Sequence, residues 1–120
     1  MRPRERHPTI KRKAFAYITH RDEVGDRLLV FRHPHAPSAG IQVPAGTIED
    51  GETPAAAALR EAREEAGLAD LTLVGFLGER RHDLADFGRD EVHQRFFYHL
   101  RCDGAPPVTW RRVEESPSGE

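Results

Sequence analysis

The chain has 120 residues, of which 38% are hydrophobic, and this is enough for one compact domain with a core but not for two. Its charged fraction of 32% and net charge of -2 show no excess of positive charge that would favour nucleic acid as a partner. A single cysteine, Cys102, excludes an internal disulfide, and no apolar run approaches the ~20 residues of a membrane span. We therefore expect one cytoplasmic domain over residues 1–120.

The first part of the chain predicts strands joined by tight turns. Residues 14–19 have the composition of a strand, and the polar stretch 21–26 with its central glycine predicts a turn, so we expect a hairpin. Residues 28–31 form a continuous apolar run, which is typical of a strand covered on both faces and predicts a central position in a sheet. Residues 33–40 predict a loop, and residues 41–44 a short extended segment.

One helix is marked at both of its ends. Thr53 is a suitable N-cap, Pro54 follows where a missing N–H costs nothing, and Gly67 is the expected residue just beyond the C-terminus. At about 100° per residue, one side of the helix carries an apolar stripe and the opposite side carries three glutamates, so we expect the stripe to face a sheet and the carboxylates to point away from it. The stripe consists of Ala55, Leu59, Ala62 and Ala66, and the glutamates are Glu61, Glu64 and Glu65.

Two further strands are predicted after the helix. Residues 71–77 form one candidate. Residues 93–102 alternate in polarity, which predicts a strand with two different faces. One face would carry Phe96, Tyr98 and Leu100, and the other Arg95, Phe97 and His99. We expect both strands in one sheet of an α/β domain.

The three helical glutamates have an ordinary interpretation as a solvated surface and a chemical one as a metal site. Arg60 lies four residues before Glu64, which suits a helix surface, but Glu61 and Glu65 repel each other at the same spacing by ~0.2–0.5 kcal/mol. A divalent cation would reverse this penalty. Magnesium prefers hard oxygen ligands and is commonly held by a few carboxylates together with substrate phosphates, so the pattern favours a metal site.

The segment from Gly46 to Leu68 reads GTIEDGETPAAAALREAREEAGL and resembles the Nudix box. In that motif a glycine is followed after five residues by a glutamate and after seven more by Arg-Glu-U-x-Glu-Glu-x-Gly-U, where U is a bulky aliphatic residue. All the named identities of the motif are present at its spacing, although Ala62 stands at the first U position, where the family usually has a larger residue. They are Gly46, Glu52, Arg60, Glu61, Glu64, Glu65 and Gly67.

The resemblance implies a Nudix fold, an α/β architecture in which a mixed β-sheet is sandwiched between helices. It also implies a hydrolase that uses Mg²⁺ or Mn²⁺ to cleave the pyrophosphate bond of nucleoside diphosphate-linked compounds, by attack of water on phosphorus. Which such compound is the substrate stays open, because the box does not encode it.

The resemblance further assigns roles to residues of the box and of the loop before it. Arg60 would orient a glutamate by ion pairing, Glu52 would fix the loop, and one of the three glutamates would act as the base. The implied metal ligands are Glu61, Glu64, Glu65 and the backbone carbonyl of Ala45, with Gly46 and Gly67 as structural residues of the box.

Two further candidates lie outside the box. Arg32 ends the apolar run before the loop and is a candidate for binding substrate phosphates, although a surface arginine is as often inert. Some Nudix enzymes recruit another acid from a later loop, and Glu91 is the candidate among the carboxylates between residues 80 and 92, whose alternative interpretation is ordinary loop charge. The carboxylates of that stretch are Asp83, Asp86, Asp90 and Glu91.

The region after the last predicted strand is short for a Nudix domain, which usually continues with another strand and a closing helix. Here residues 109–113 are followed only by a polar tail. We expect either a partner subunit that covers the exposed sheet edge, as in a homodimer, or a truncated domain with weakened activity.

The alternative function from another class is a non-catalytic nucleotide-binding or regulatory module built on the Nudix scaffold. The intact glutamates argue against it, because a pure binder has no need for repelling carboxylates at Glu61 and Glu65. Either function predicts a small nucleotide ligand, without membrane or nucleic acid as a partner.

Overall fold

The computed structural model describes residues 7–23, 25–31 and 40–104, which form a five-stranded sheet and one α-helix. The α/β class with a mixed sheet, expected from the sequence, is confirmed. No helix in these three ranges is long and apolar enough to cross a membrane. The elements are β1 (Thr9–Arg21), β2 (Asp26–Leu29), β3 (Ala45–Thr47), α1 (Pro54–Ala66), β4 (Leu71–Asp83) and β5 (Glu91–Cys102), with a short 3₁₀ turn (Ala85–Phe87) between the last two strands.

The sheet is organised around the first strand. Its order is β2-β1-β5-β4, and β1 runs parallel to β5, whereas the other pairs are antiparallel. β5 occupies one edge of β1, so β2 and β3 share the other edge, where β2 pairs near the end of β1 and β3 pairs near its middle. The first and last described strands are therefore neighbours at the centre of the sheet.

The expected hairpin forms between β1 and β2. Backbone bonds between Asp22 and Gly25 close the turn in both directions, at 3.0 and 3.2 Å. The central position predicted for residues 28–31 is wrong, because β2 is a short strand that pairs with no other strand than β1 in the described ranges, and Leu28 remains 48% exposed. The long parallel pair of β1 and β5 occupies the centre instead.

The helix begins and ends where the sequence predicts. The Thr53 side chain accepts the Ala56 N–H at 3.1 Å, Pro54 is the first helical residue, and Gly67 closes the helix in the left-handed conformation at φ 70°. A residue with a side chain would be strained at that φ, so glycine is favoured there.

The buried face of α1 is rotated from the predicted stripe. Four alanines are buried, whereas Ala55 and Leu59 are only half-buried. The prediction that the carboxylates point away from the sheet is correspondingly wrong for Glu61, which is 12% exposed beside β3, and for Glu65, which accepts a hydrogen bond from that strand. Glu64, by contrast, is 60% exposed. Small side chains let the helix lie low on the sheet and bring its flank against β3, which contains Gly46 and is called the box strand below. The four alanines are Ala57, Ala58, Ala62 and Ala66, and they pack on Ala14, Ala16, Ile18, Phe96 and Leu100.

The two strands after the helix are confirmed, and both belong to the one sheet. β4 is longer than expected and continues through Asp83, so the loop predicted between residues 80 and 92 is confined to residues 84–90. The two-faced alternation of β5 is present, since Phe96 and Leu100 are buried under α1 while Phe97 stacks with Phe15 on the opposite face. The strand candidate at residues 109–113 lies outside the described residues.

Replacing Thr53 with alanine should destabilise the domain through the start of α1. The substitution removes the acceptor for the Ala56 N–H, and losses of such N-caps cost about 1 kcal/mol. Urea unfolding at neutral pH should show this decrease in the free energy of unfolding for Thr53→Ala, with little change for Thr53→Ser, which keeps the hydroxyl. Equal stability of the two variants would contradict the capping role.

Candidate active site

The Arg60 guanidinium is the centre of the polar network between α1 and the loop that precedes it. Its Nε and Nη2 donate to the two carboxylate oxygens of Glu52 at 2.8 and 2.9 Å, and Nη2 also donates to the carbonyl of Thr47 at 2.9 Å. Its Nη1 donates to Glu61 at 2.7 Å and to Glu64 at 3.4 Å. One planar group therefore ties the box strand, the loop and the helical glutamates together.

Glu52 is fixed on both of its carboxylate oxygens. Oε1 accepts the Glu49 N–H at 3.0 Å as well as an Arg60 donor. The hydrogen bond from Arg60, followed by that from the Glu49 backbone, lowers the pKa of Glu52 from 4.5 to about 2. The same pair raises the pKa of the Arg60 guanidinium, so both groups are charged at any physiological pH.

Glu61 lies directly against the box strand. A Cβ added to Gly46 would overlap the Glu61 carboxylate, so only glycine leaves room for this carboxylate. Burial raises the pKa of Glu61 and the Arg60 hydrogen bond opposes that shift, while repulsion from Glu64 adds to it. The carboxylate is thus held in a place where its negative charge is costly without a further cation.

Glu65 is the second carboxylate at this strand, and Glu64 is the outer one. The Ala45 N–H donates to Glu65 Oε1 at 3.3 Å, which brings Glu65 to the residue whose carbonyl is the other predicted metal ligand. In the described ranges, no three histidine, cysteine or acidic side chains are already grouped closely enough to hold a metal ion. Glu52, Glu61 and Glu64 instead share the positive charge of Arg60.

The residues present nevertheless fit a divalent cation. Gly46 leaves space for the Glu61 carboxylate, and all the candidate ligand atoms are hard oxygens. Because Glu61 is largely buried, a nearby positive charge would stabilise its ionised form. Glu61, Glu64, Glu65 and the Ala45 carbonyl are the groups that would hold the ion. The structure thus brings Glu61, Glu65 and Ala45 together, with Glu64 at the solvent side.

The two candidates outside the box have different outcomes. Arg32 lies outside the described residues, so its predicted contact with substrate phosphates stays a prediction. Glu91 is the first residue of β5 and pairs with Thr9, whereas the box glycine pairs with Ala14, which places Glu91 about 16 Å away along the strands. The Glu91 carboxylate is already in contact with three side chains, Lys11 at 3.3 Å, Arg89 at 2.8 Å and His93 at 3.1 Å. The hydrogen bond with His93 is the main cause that lowers the pKa of Glu91 to about 2.

A groove on the face of the sheet opposite α1 was not predicted as part of the site. It has a volume of about 370 Å³ and reaches the box strand at Ala45 and Gly46. A second cavity of about 800 Å³ adjoins it at Tyr17 and Phe97 and extends over β4. The alternation of β5 placed Arg95 and Phe97 on a common face, but the parallel pairing with β1 that completes the groove leaves no local signal in the sequence. The remaining lining residues of the first cavity are Lys13, Phe15, Gln42, Val43 and Arg95.

Comparison with known proteins identifies the segment that holds this site. A family model described as the NUDIX domain matches residues 10–116, which includes every element of the described fold except the first residue of β1.

Solved structures with the same fold come from animals, bacteria and archaea. The Ap4A hydrolase of C. elegans is 18% identical, with a TM-score of 0.59 over 84% of this chain and 76% of that one. A NUDIX-family hydrolase from Clostridium perfringens is 22% identical, with a TM-score of 0.58 over 81% of this chain and 73% of that one. The MutT protein of Methanosarcina mazei Go1 is 17% identical, with a TM-score of 0.62 over 92% of this chain and 77% of that one. At these identities the likeness shows the fold.

Replacing Gly46 with alanine should displace the Glu61 carboxylate. The added methyl group would overlap this carboxylate, which lies at the end of a flexible side chain and can move away. We therefore expect weaker binding of a divalent ion with only a small loss of stability. Titration with Mn²⁺, followed by its electron paramagnetic resonance signal, should show at least a ten-fold weaker affinity. Gly75→Ala is the matched control, because an added Cβ meets nothing there within 4 Å. Unchanged Mn²⁺ affinity in Gly46→Ala would contradict the role of Gly46 in leaving space for the Glu61 carboxylate.

Replacing Glu52 with glutamine should change how stability depends on acid pH. Because the folded pKa of about 2 lies below the unfolded value near 4.5, the stabilisation from ionised Glu52 is fully present above pH 4.5 and is lost as the pH falls towards 2. The wild-type protein should therefore be the more stable one at pH 7, and its advantage over Glu52→Gln should shrink between pH 4.5 and pH 2. Urea unfolding at a series of pH values measures this difference, and an advantage that stayed constant through the window would disprove the Arg60–Glu52 contribution.

Proposed function

The chain belongs to the NUDIX family and is a Nudix hydrolase, and we propose that it uses Mg²⁺ or Mn²⁺ to cleave the pyrophosphate bond of a nucleoside diphosphate joined to another group. The observation that carries this proposal is the position of Glu61 and Glu65 against Ala45 and Gly46 of the box strand. This position supports a role as metal ligands, because carboxylates that served only solubility would point into solvent, as Glu64 does, and would not lie against a strand of the sheet.

The chemistry follows from the donor set. A bound divalent cation would neutralise charge on the pyrophosphate and lower the pKa of a water that attacks phosphorus. Glu61, Glu64 and Glu65 of the helix and the carbonyl of Ala45 are the groups that would hold the ion. One of these glutamates would take the proton of the attacking water, and general-base catalysis of this kind contributes typically 10²- to 10⁴-fold to the rate.

The role we assign to Arg60 is that of a positioning residue. Its guanidinium donates to Glu52 and Thr47 on the loop side and to Glu61 on the helix side. These hydrogen bonds fix the position of the helical carboxylate relative to the box strand. Pre-organisation of this kind removes the cost of orienting ligands during the reaction. Glu52 acts through Arg60 and Gly46 through Glu61.

Hydrolysis of a substrate panel tests the proposal. Nucleoside triphosphates, nucleotide sugars and dinucleoside polyphosphates should be incubated with Mg²⁺ or Mn²⁺, and the last group is included because an Ap4A hydrolase shares the fold. At least one compound should be cleaved only with metal, and Glu65→Gln should lower kcat about 100-fold or more. Glu23→Gln, which removes the same charge from the exposed β1–β2 turn, should leave the rate unchanged.

Two outcomes would count against this assignment. Binding of metal and nucleotide by the wild-type chain without cleavage of any compound would favour the non-catalytic nucleotide-binding module. Full activity in Glu65→Gln would remove Glu65 from the reaction and leave only its packing role.

A further inference from the structure

Three basic side chains form a row across the sheet, on the face opposite α1. Lys13 on β1 is paired with Arg95 on β5, and Arg95 is paired in turn with Arg80 on β4. Paired residues of neighbouring strands point to the same face, and all three line the two adjoining cavities. Like charges directly opposite each other on a sheet are destabilising, so this row is costly unless an anion lies on it.

The cost is not relieved within the described part of the chain. None of the ion pairs between described residues includes Lys13, Arg80 or Arg95, and Arg95 Nε is a buried donor without a hydrogen-bond partner there. The next row differs, because Lys11 is neutralised by Glu91 at 3.3 Å. Among the described residues, Lys13, Arg95 and Arg80 therefore lack a compensating carboxylate of the kind that Lys11 has, and buried donors such as Arg95 Nε are normally satisfied by a ligand or water.

A row of aromatic rings lies directly beside the basic row. Phe15 and Phe97 are paired across β1 and β5 and stack with their ring centres 5.0 Å apart, and Tyr17 lies 6.1 Å from Phe97. The partner of Phe97 on β4 is Gly78, where an added Cβ would meet nothing within 4 Å, so the space beside the rings is open. Such a surface suits a flat aromatic ligand, since any base offers a π-face for stacking.

Both rows begin at the candidate active site. β3 pairs Ala45 with Phe15 and Thr47 with Lys13, so the rings and the basic groups start one strand away from the predicted metal ligands. The basic row extends over two strand spacings from Lys13 to Arg80, about 10 Å. One pyrophosphate held at the glutamates would leave most of this row unoccupied.

We propose that this face binds the base and the phosphate chain of a nucleotide with three or more phosphates. The base stacks on Phe15 and Phe97, while the phosphates lie along Lys13, Arg95 and Arg80. This inference rests on the proposed function, because it assigns the substrate class of the same site. It adds that the substrate carries negative charge beyond the single pyrophosphate that is cleaved.

Binding in the absence of divalent ions tests the proposal separately from hydrolysis. Isothermal titration in EDTA should compare AMP, ADP, ATP, ADP-ribose and inorganic tripolyphosphate on the intact chain. Affinity should increase from AMP to ATP, and ATP should bind more tightly than ADP-ribose. Arg95→Gln should weaken both ATP and tripolyphosphate about ten-fold, because it removes a charge-assisted donor. Arg27→Gln is the matched control, since it removes one positive charge at the β1–β2 hairpin.

The aromatic half of the proposal has its own comparison. Phe97→Leu should weaken ATP about ten-fold but leave tripolyphosphate unchanged, whereas Phe76→Leu, which disrupts the ring pair of Phe76 and Tyr98 elsewhere on the sheet, should change neither. Thermal unfolding of each variant without ligand checks that the fold persists.

Three binding results would overturn the proposal. These are equal affinity for ADP and ATP, no effect of Arg95→Gln on a correctly folded protein, and tighter binding of a short single-stranded RNA than of ATP. Phosphate-dependent binding in a chain that hydrolyses nothing would support the groove while refuting the proposed reaction, and hydrolysis restricted to ADP-ribose would support the reaction while refuting the groove.

Discussion

The candidate active site depends on one interaction, the bidentate pairing of Arg60 with Glu52. That pairing anchors the guanidinium to the loop, and the remaining donors of the same group then reach Thr47 and Glu61. Because the guanidinium is planar, the two hydrogen bonds from Nε and Nη2 to Glu52 also fix the direction in which Nη1 donates. A lysine could supply the charge but not these directions. The low pKa of Glu52 reflects this pairing, because the hydrogen bond from Arg60 stabilises the ionised carboxylate.

A second constraint comes from the parallel pairing of β1 with β5. This pairing brings residues from the two ends of the described chain into register, and it produces two faces with different uses. On one face Ala14 and Phe96 receive α1 and thereby position the glutamates. On the other face Phe15 and Phe97 form a stacked pair beside the box strand. The proposed nucleotide groove and the proposed metal ligands thus lie on opposite faces of the same strands and meet at β3.

The sequence predicted the features that depend on local chemistry. The caps of α1 at Thr53 and Gly67 are found where expected, because N-capping and left-handed termination involve only a few neighbouring residues. The central position predicted for residues 28–31 was wrong, since apolar character does not reveal which strand becomes an edge. The predicted helix face was rotated because the four consecutive alanines at 55–58 surround the first turn and do not define one apolar side. Contacts set by strand register, such as that of Lys13 with Arg95, could not be predicted from periodicity at all.

The alanine surface beneath α1 links the stability of the domain to its chemistry. Ala58, Ala62 and Ala66 are buried, and their small size sets how low the helix lies on the sheet. That height is also what brings Glu61 within reach of Gly46. Filling the core with larger side chains, a common route to thermostable variants, would here lift the helix and withdraw its carboxylates from the strand. The small core residues therefore set the distance between the helix and the sheet. Substitutions selected for heat resistance would have to lie outside this interface to keep the carboxylates in place.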